Sequence, residues 1–190
     1  MNDIVRINGY HGTTEDISEI IISEGFKPSH NDYDWLGSGI YFFQDAPENA
    51  LHYADRMLKR KKIGIKNLAV VGAVIRLEDC MDLLDATKWK DFFAQAYIGF
   101  ETMCEINNIP MPRQDDYFRG RDRAVIEYGI ENVLRLGHSY NIRVIRAPFI
   151  EGAPMFPGSK LFLLSHIQIA VRDSTLIERV WIESKKILPK

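Results

Sequence analysis

Three observations predict an α+β fold. Strand-like segments rich in valine and isoleucine dominate the two ends of the 190-residue chain, helical periodicity dominates the middle, and the two never alternate as regular βαβ units. A doubly wound parallel sheet is therefore disfavoured, and with no internal repeat, low-complexity stretch or long linker, residues 1–190 are expected to form a single domain.

Ile4 to Tyr10 alternates apolar and polar residues and predicts the first strand. Thr13-Thr14-Glu15-Asp16 then opens a helix with Ile17, Ile20 and Ile21 on one side, stopped by Gly25, which places His11 at a strand-to-helix junction. Residues 27–38, rich in Pro, Ser, Asn, Asp and Gly, predict a loop acting as a lid over whatever His11 faces. A strand carrying Tyr41 follows. Asp45, with Glu48 three residues on, reads as the N-cap of a helix presenting Ala50, Tyr53, Ala54, Met57 and Leu58 on one face. Its basic end, Lys59-Arg60-Lys61-Lys62, is explained by the negative end of a helix dipole. Asn67 to Leu77 reads as a buried strand, and 87–106, with Trp89, Phe92, Phe93, Ala96, Phe100 and Met103, as a helix. A loop is expected over 108–121, a helix from about Asp122 to Leu136 ending near Gly137, and a short strand from Asn141 to Arg146. Residues 152–159 form another loop, followed by Leu161 to Val171 and Ile177 to Glu183 as a final strand pair.

Composition excludes more than it identifies. With 46% hydrophobic and 26% charged residues the chain is an ordinary globular one, and charges interrupt every apolar stretch before the roughly 20 residues a membrane-spanning helix needs. No secretory apolar segment follows the first residues, so a cytoplasmic location is expected. Cys80 and Cys104 stand apart from each other and from any histidine cluster, which argues for reduced structural thiols and against a metal site. A net charge of −2 draws the whole molecule to no polyanion, although Arg119, Arg121 and Arg123 beside Tyr117 and Phe118 suit single-stranded nucleic acid.

The motif content lies in His11-Gly12-Thr13 and in Asp34-Trp35-Leu36-Gly37-Ser38-Gly39-Ile40-Tyr41-Phe42-Phe43. A glycine beside a histidine at a strand end lets backbone groups approach a ligand, while the imidazole can donate to a hydroxyl. The same residues also suit plain structural roles: a histidine satisfying a turn, and Tyr41 and Tyr53 as core aromatics. Taken together with Pro47-Glu48-Asn49-Ala50-Leu51-His52-Tyr53-Ala54, the two blocks resemble the ADP-ribosyltransferase fold in its poly(ADP-ribose) polymerase-like and diphtheria-toxin-like branch. The resemblance covers residues 9–54 and, more weakly, 160–183; the middle of the chain carries no such likeness.

That resemblance implies a split antiparallel β-sandwich flanked by helices, with NAD⁺ as co-substrate in the cleft between the sheets. It implies that the Gly12 backbone grips the nicotinamide carboxamide, that His11 holds the adenosine ribose, that Tyr41 and Tyr53 sandwich the nicotinamide, and that Thr13 and Gly39 complete the site. Chain-extending members carry a glutamate in the third element, where this chain has Ser165-His166-Ile167-Gln168-Ile169. Gln168 can hold a ribose hydroxyl but cannot take a proton. Transfer of single ADP-ribose units is therefore expected, with Glu151 as candidate base and Glu127 and Glu131 as further carboxylates. The acceptor is a macromolecule, protein, RNA or DNA, and the likeness extends to toxins and phage-defence effectors with an antitoxin partner. Two alternatives stand beside this reading: an NAD⁺ glycohydrolase, and a module that binds ADP-ribose or nucleic acid without catalysis. His166, two residues from Gln168, lies on the same strand face.

Overall fold

The computed structural model describes residues 4–60, 67–115, 118–134 and 141–186. Among the described residues, seven strands form one mixed sheet flanked by helices. In chain order these are β1 (Arg6–Thr14), β2 (Ile40–Gln44), β3 (Leu68–Arg76), β4 (Cys80–Asp82), β5 (Val144–Phe149), β6 (His166–Val171) and β7 (Ile177–Lys186), arranged β4-β5-β6-β2-β1-β3-β7. All neighbours are antiparallel except β4 and β5. The helices are α1 (Glu15–Glu24), α2 (Pro47–Arg60), α3 (Lys90–Ile106) and α4 (Gly120–Tyr128), the last continuing as a π-helical turn over Gly129–Leu134.

The expected split sandwich is absent as such, because hydrogen bonds link all seven strands. What the sheet has instead is a weak seam. β1 and β2 pair only at Gly9↔Gln44 and Tyr10↔Phe43, whereas β1 pairs with β3 along its whole length from Arg6↔Arg76 to Thr14↔Leu68. The seam separates a half made of β4, β5, β6 and β2 from a half made of β1, β3 and β7.

Side-chain alternation gives the sheet two faces. On one, α3 and α4 bury Tyr41, Met81, Ile145, Ala147 and Ala170 with Phe92, Phe100 and Ile126, while α2 covers Tyr10, Phe43 and Val70. The other face buries Ile40, Phe42, Ile75, Val144, Ile169 and Val171 with Phe26. Complete removal of side chains of this size from water stabilises by about 1.5–3 kcal/mol each, so the sheet centre carries most of the folding energy.

Several local expectations change. β1 runs three residues past His11, because β3 supplies ladder partners as far as Thr14. Asp45 does not cap α2; it takes a positive φ of 50° ahead of Pro47, whose fixed φ starts the helix. In α1 the buried residues are Ser18 and Ile21, while Ile17 and Ile20 face solvent. Leu161 to Ser165 is not strand, since Leu161 and Leu163 bond back to Met155 and Ala153 within a protruding loop. The last two strands do not pair: a 3-10 turn at Ser174–Leu176 sends β7 to the far edge, beside β3. The expected helix end at Gly137, the basic residues Lys61 and Lys62, and Tyr117 lie outside the described residues. Among the described residues, no helix is long and apolar enough to cross a membrane.

Candidate active site

Below the β1–β2 seam the two strands diverge, and His11 spans the opening. Its Nδ1 lies 2.9 Å from the Tyr41 carbonyl, which can only accept, so Nδ1 carries the proton. Burial lowers the His11 pKa, outweighing the opposing effect of that hydrogen bond. A neutral His11 then offers Nε2 as a hydrogen-bond acceptor. The ring rests edge-on against Phe26 and Phe42, at 5.6 and 6.1 Å between centroids.

Gly12 is where the backbones of β1 and α2 meet. A Cβ built there would lie 1.7 Å from the Ala50 carbonyl oxygen, so only glycine lets the helix sit this close. Thr13 is half-buried and pairs with Ala69. Gly39 bridges to Ser29 and presses against the Val171 carbonyl, 3.0 Å from an added Cβ, which makes its role here one of packing.

The loop expected to be a lid is a braced wall. The Tyr41 hydroxyl donates to the Gly37 carbonyl at 2.7 Å and accepts from the Leu36 amide at 3.0 Å. Burial raises the Tyr41 pKa, with a further push from nearby Asp34. The buried Asp34 carboxylate accepts from the Ser29 hydroxyl at 2.7 Å and the Asn31 amide at 2.6 Å. From the other side Glu127 accepts from the Ser38 amide at 2.6 Å and from Arg172 at 2.9 and 3.1 Å. Burial pushes the Glu127 pKa up, but Arg172 and Ser38 together overcome it and hold the carboxyl below its usual value. Sequence reasoning placed Glu127 among the further candidate carboxylates; the structure makes it the brace of the glycine loop.

Gln168 pairs with Phe43 on one side and Ala147 on the other, sharing a face with Tyr41. Its Oε1 accepts from the Trp35 indole, which leaves the amide N–H groups to donate. Trp35 and Phe149 enclose the Arg119 guanidinium, 4.7 and 4.3 Å from the two ring centroids. Arg119 is thus stacked against aromatic rings of the protein itself. No sequence pattern links residues 35, 119 and 149; their meeting is a product of topology.

Tyr53 and Glu151 converge on a pocket shared with Phe43, Asn49, Leu164 and His166. The cavity is about 10 Å³, room for one water molecule. The Tyr53 ring lies 5.7 Å from Phe43, not against Tyr41, and burial pushes its pKa up to about 12. Glu151 is paired with Arg56 at 2.5 Å. The structure therefore gathers Tyr41, Tyr53, Gln168 and Glu151 on one face of the sheet, while the His11 side chain reaches the seam from the other.

Cys104 is buried in the core, and burial pushes the half-buried Cys80 thiol up to about 12. No protein-family model and no solved structure matches the chain. The chain is similar to an uncharacterised protein of Methanocaldococcus jannaschii, 27% identical over 209 aligned positions that span all of this chain and 94% of that protein.

Proposed function

We propose that the protein binds NAD⁺ at the β1–β2 seam and transfers single ADP-ribose units to a macromolecular acceptor, releasing nicotinamide. The observation carrying this reading is the placement of the two motif blocks. His11-Gly12-Thr13 and Tyr41 flank the point where two central strands separate, and Gln168 lies on the neighbouring strand. A ligand entering there would meet the Gly12 backbone, the Tyr53 ring on α2 and the Gln168 amide. An amide N–H held toward the ribose stabilises an oxocarbenium-like centre as the glycosidic bond lengthens, a contact that strengthens as charge develops.

A second reading, NAD⁺ hydrolysis, is favoured by the cavity beside Tyr53, about 10 Å³ and so of the size of one water molecule.

The test is incubation of pure protein with NAD⁺ and with cell lysate divided into protein and nucleic-acid fractions, following nicotinamide release and label transfer. Gln168→Ala is expected to slow release by about 10–10³-fold with little change in NAD⁺ affinity. Labelled products are expected as single units. Absence of both NAD⁺ binding by calorimetry and nicotinamide release would overturn the assignment, and polymer ladders would overturn its single-transfer part.

A further inference from the structure

His166 opens β6, two residues before Gln168 and on the same face. Its Nδ1 lies 2.7 Å from the Leu164 carbonyl, so the proton sits on Nδ1 and Nε2 bears a lone pair in the neutral ring. The same carbonyl accepts from Asn49 Nδ2 at 3.1 Å, tying the orientation of the imidazole to the first turn of α2. Phe43 and Phe149 flank the ring at 4.5 and 5.3 Å between centroids. Nε2 is fully buried and has no hydrogen-bond partner among the described residues, and the side chain lines the one-water cavity. A buried acceptor left without a partner is destabilising, which calls for a ligand or a role that compensates.

We infer that His166 is the general base of this site, its Nε2 taking the proton from the O–H group, of water or an acceptor hydroxyl, that attacks the ribose. The inference rests on the NAD⁺-cleaving reading above. The C1′–N bond to nicotinamide breaks, and its electron pair leaves with nicotinamide, which departs neutral. The attacking oxygen forms the new C1′–O bond, and its proton passes to Nε2, giving an imidazolium that later returns the proton to solvent. Gln168 cannot accept that proton, and Glu151 already has its Oε1 engaged by Arg56. His166 thus supplies the basic group missing from the third sequence element, from a position two residues away.

Burial lowers the His166 pKa, partly offset by the Leu164 hydrogen bond; Glu151 pushes it up and Arg56 down, and His52 and Tyr53 also line the pocket. The expected profile of kcat against pH therefore rises from the acid side and levels off with an apparent pKa below about 6.5. In His166→Gln, nicotinamide release should fall by about 10²–10⁴-fold, the acid limb should vanish and NAD⁺ affinity by calorimetry should hold. Added imidazole should restore part of the rate in His166→Ala, which a merely structural histidine would not allow. Melting followed by circular dichroism checks that both variants fold. A wild-type rate and acid limb in His166→Gln, or a slow variant with its acid limb intact and no imidazole rescue in His166→Ala, would overturn the base role while leaving NAD⁺ cleavage standing. A wild-type protein that releases no nicotinamide would overturn both.

Discussion

A methyl group at position 12 has nowhere to go. It would sit 1.7 Å from the Ala50 carbonyl oxygen and 2.5 Å from the carbonyl carbon, and these are backbone atoms that no rotamer change can move. Gly12→Ala should therefore push α2 from the sheet and destabilise the protein by about 3 kcal/mol, read from denaturant midpoints. The displacement would carry Tyr53 and Asn49 with it, so the Tyr53 ring and the Leu164 carbonyl that orients His166 should both shift. A Gly12→Ala protein with wild-type stability would show that α2 lies further out than described. At this scale the sequence was informative where a residue type is chemically restricted. Gly12, Tyr41 and Gln168 stood out because they fall in the motif blocks on which the resemblance rests, Gln168 at the place where that resemblance implies a glutamate. Phe149 did not stand out, and Trp35, Phe43 and Arg119 drew notice only as members of the glycine-rich block or as an arginine suited to nucleic acid; their convergence is visible only in the fold.

The segment from Asp34 to Gly39 has no regular secondary structure, yet it is among the most constrained in the molecule. Tyr41 and Glu127 each bond to it, the Asp34 carboxylate ties it back to Ser29 and Asn31, and Gly37 turns it at a φ of +85°. Composition alone predicts a mobile lid here because Gly, Ser and Asp favour loops, but composition is silent on which long-range side chains fasten that loop. Glu127 is 89 residues from Ser38, beyond the reach of any local pattern. Replacing Glu127 with Gln leaves the Arg172 guanidinium without its charge partner in a largely buried site, and a loss of about 3 kcal/mol is expected. The pH dependence gives a second readout. The folded pKa of Glu127 is depressed, so its stabilisation is present above the ordinary carboxyl range and is lost as pH falls through the folded value. The variant should lose this part of the acid sensitivity, measurable as a flatter Tm-against-pH curve below about pH 4.5. Strands were legible where hydrophobic runs were long, as in β3, whereas β4, three residues long, is too short to show a period. Placing β6 and β7 apart required knowing which edge of the sheet was free.

At the scale of the whole sheet, two partly buried histidines set the response to mild acid. The His11 and His166 pKa values are both lowered, chiefly by burial, so the unfolded chain takes up protons at a pH where the folded protein does not. Stability should be full above about pH 6.5 and decline as pH falls below it toward the folded pKa values. Replacing His11 with Gln should flatten part of this decline in thermal melts run between pH 7 and 5; an unchanged slope would mean that His11 takes up its proton at the same pH in the folded and unfolded chains. The α+β class was legible from the distribution of strand and helix signals. The single sheet with its two-rung seam was not, because pairing between β1 and β2 depends on how far the antiparallel strands stay side by side, which no pattern along the chain records.

That two-rung ladder also determines which changes in chain length the molecule can absorb. β2 is five residues long and is held in register by Gly9↔Gln44 and Tyr10↔Phe43 on one side and by four pairs with β6 on the other. Deleting a single residue from it would leave a strand able to pair but with its faces exchanged, turning Tyr41 and Phe43 toward Phe26 and Ile75 and presenting Phe42 to α2. The protruding loop from Gly152 to Leu163 answers to no such register, so length changes there would alter what borders the Tyr53 and His166 pocket without disturbing the sheet. Divergent copies of this protein should therefore differ by insertions above the pocket while β2 keeps its length residue for residue.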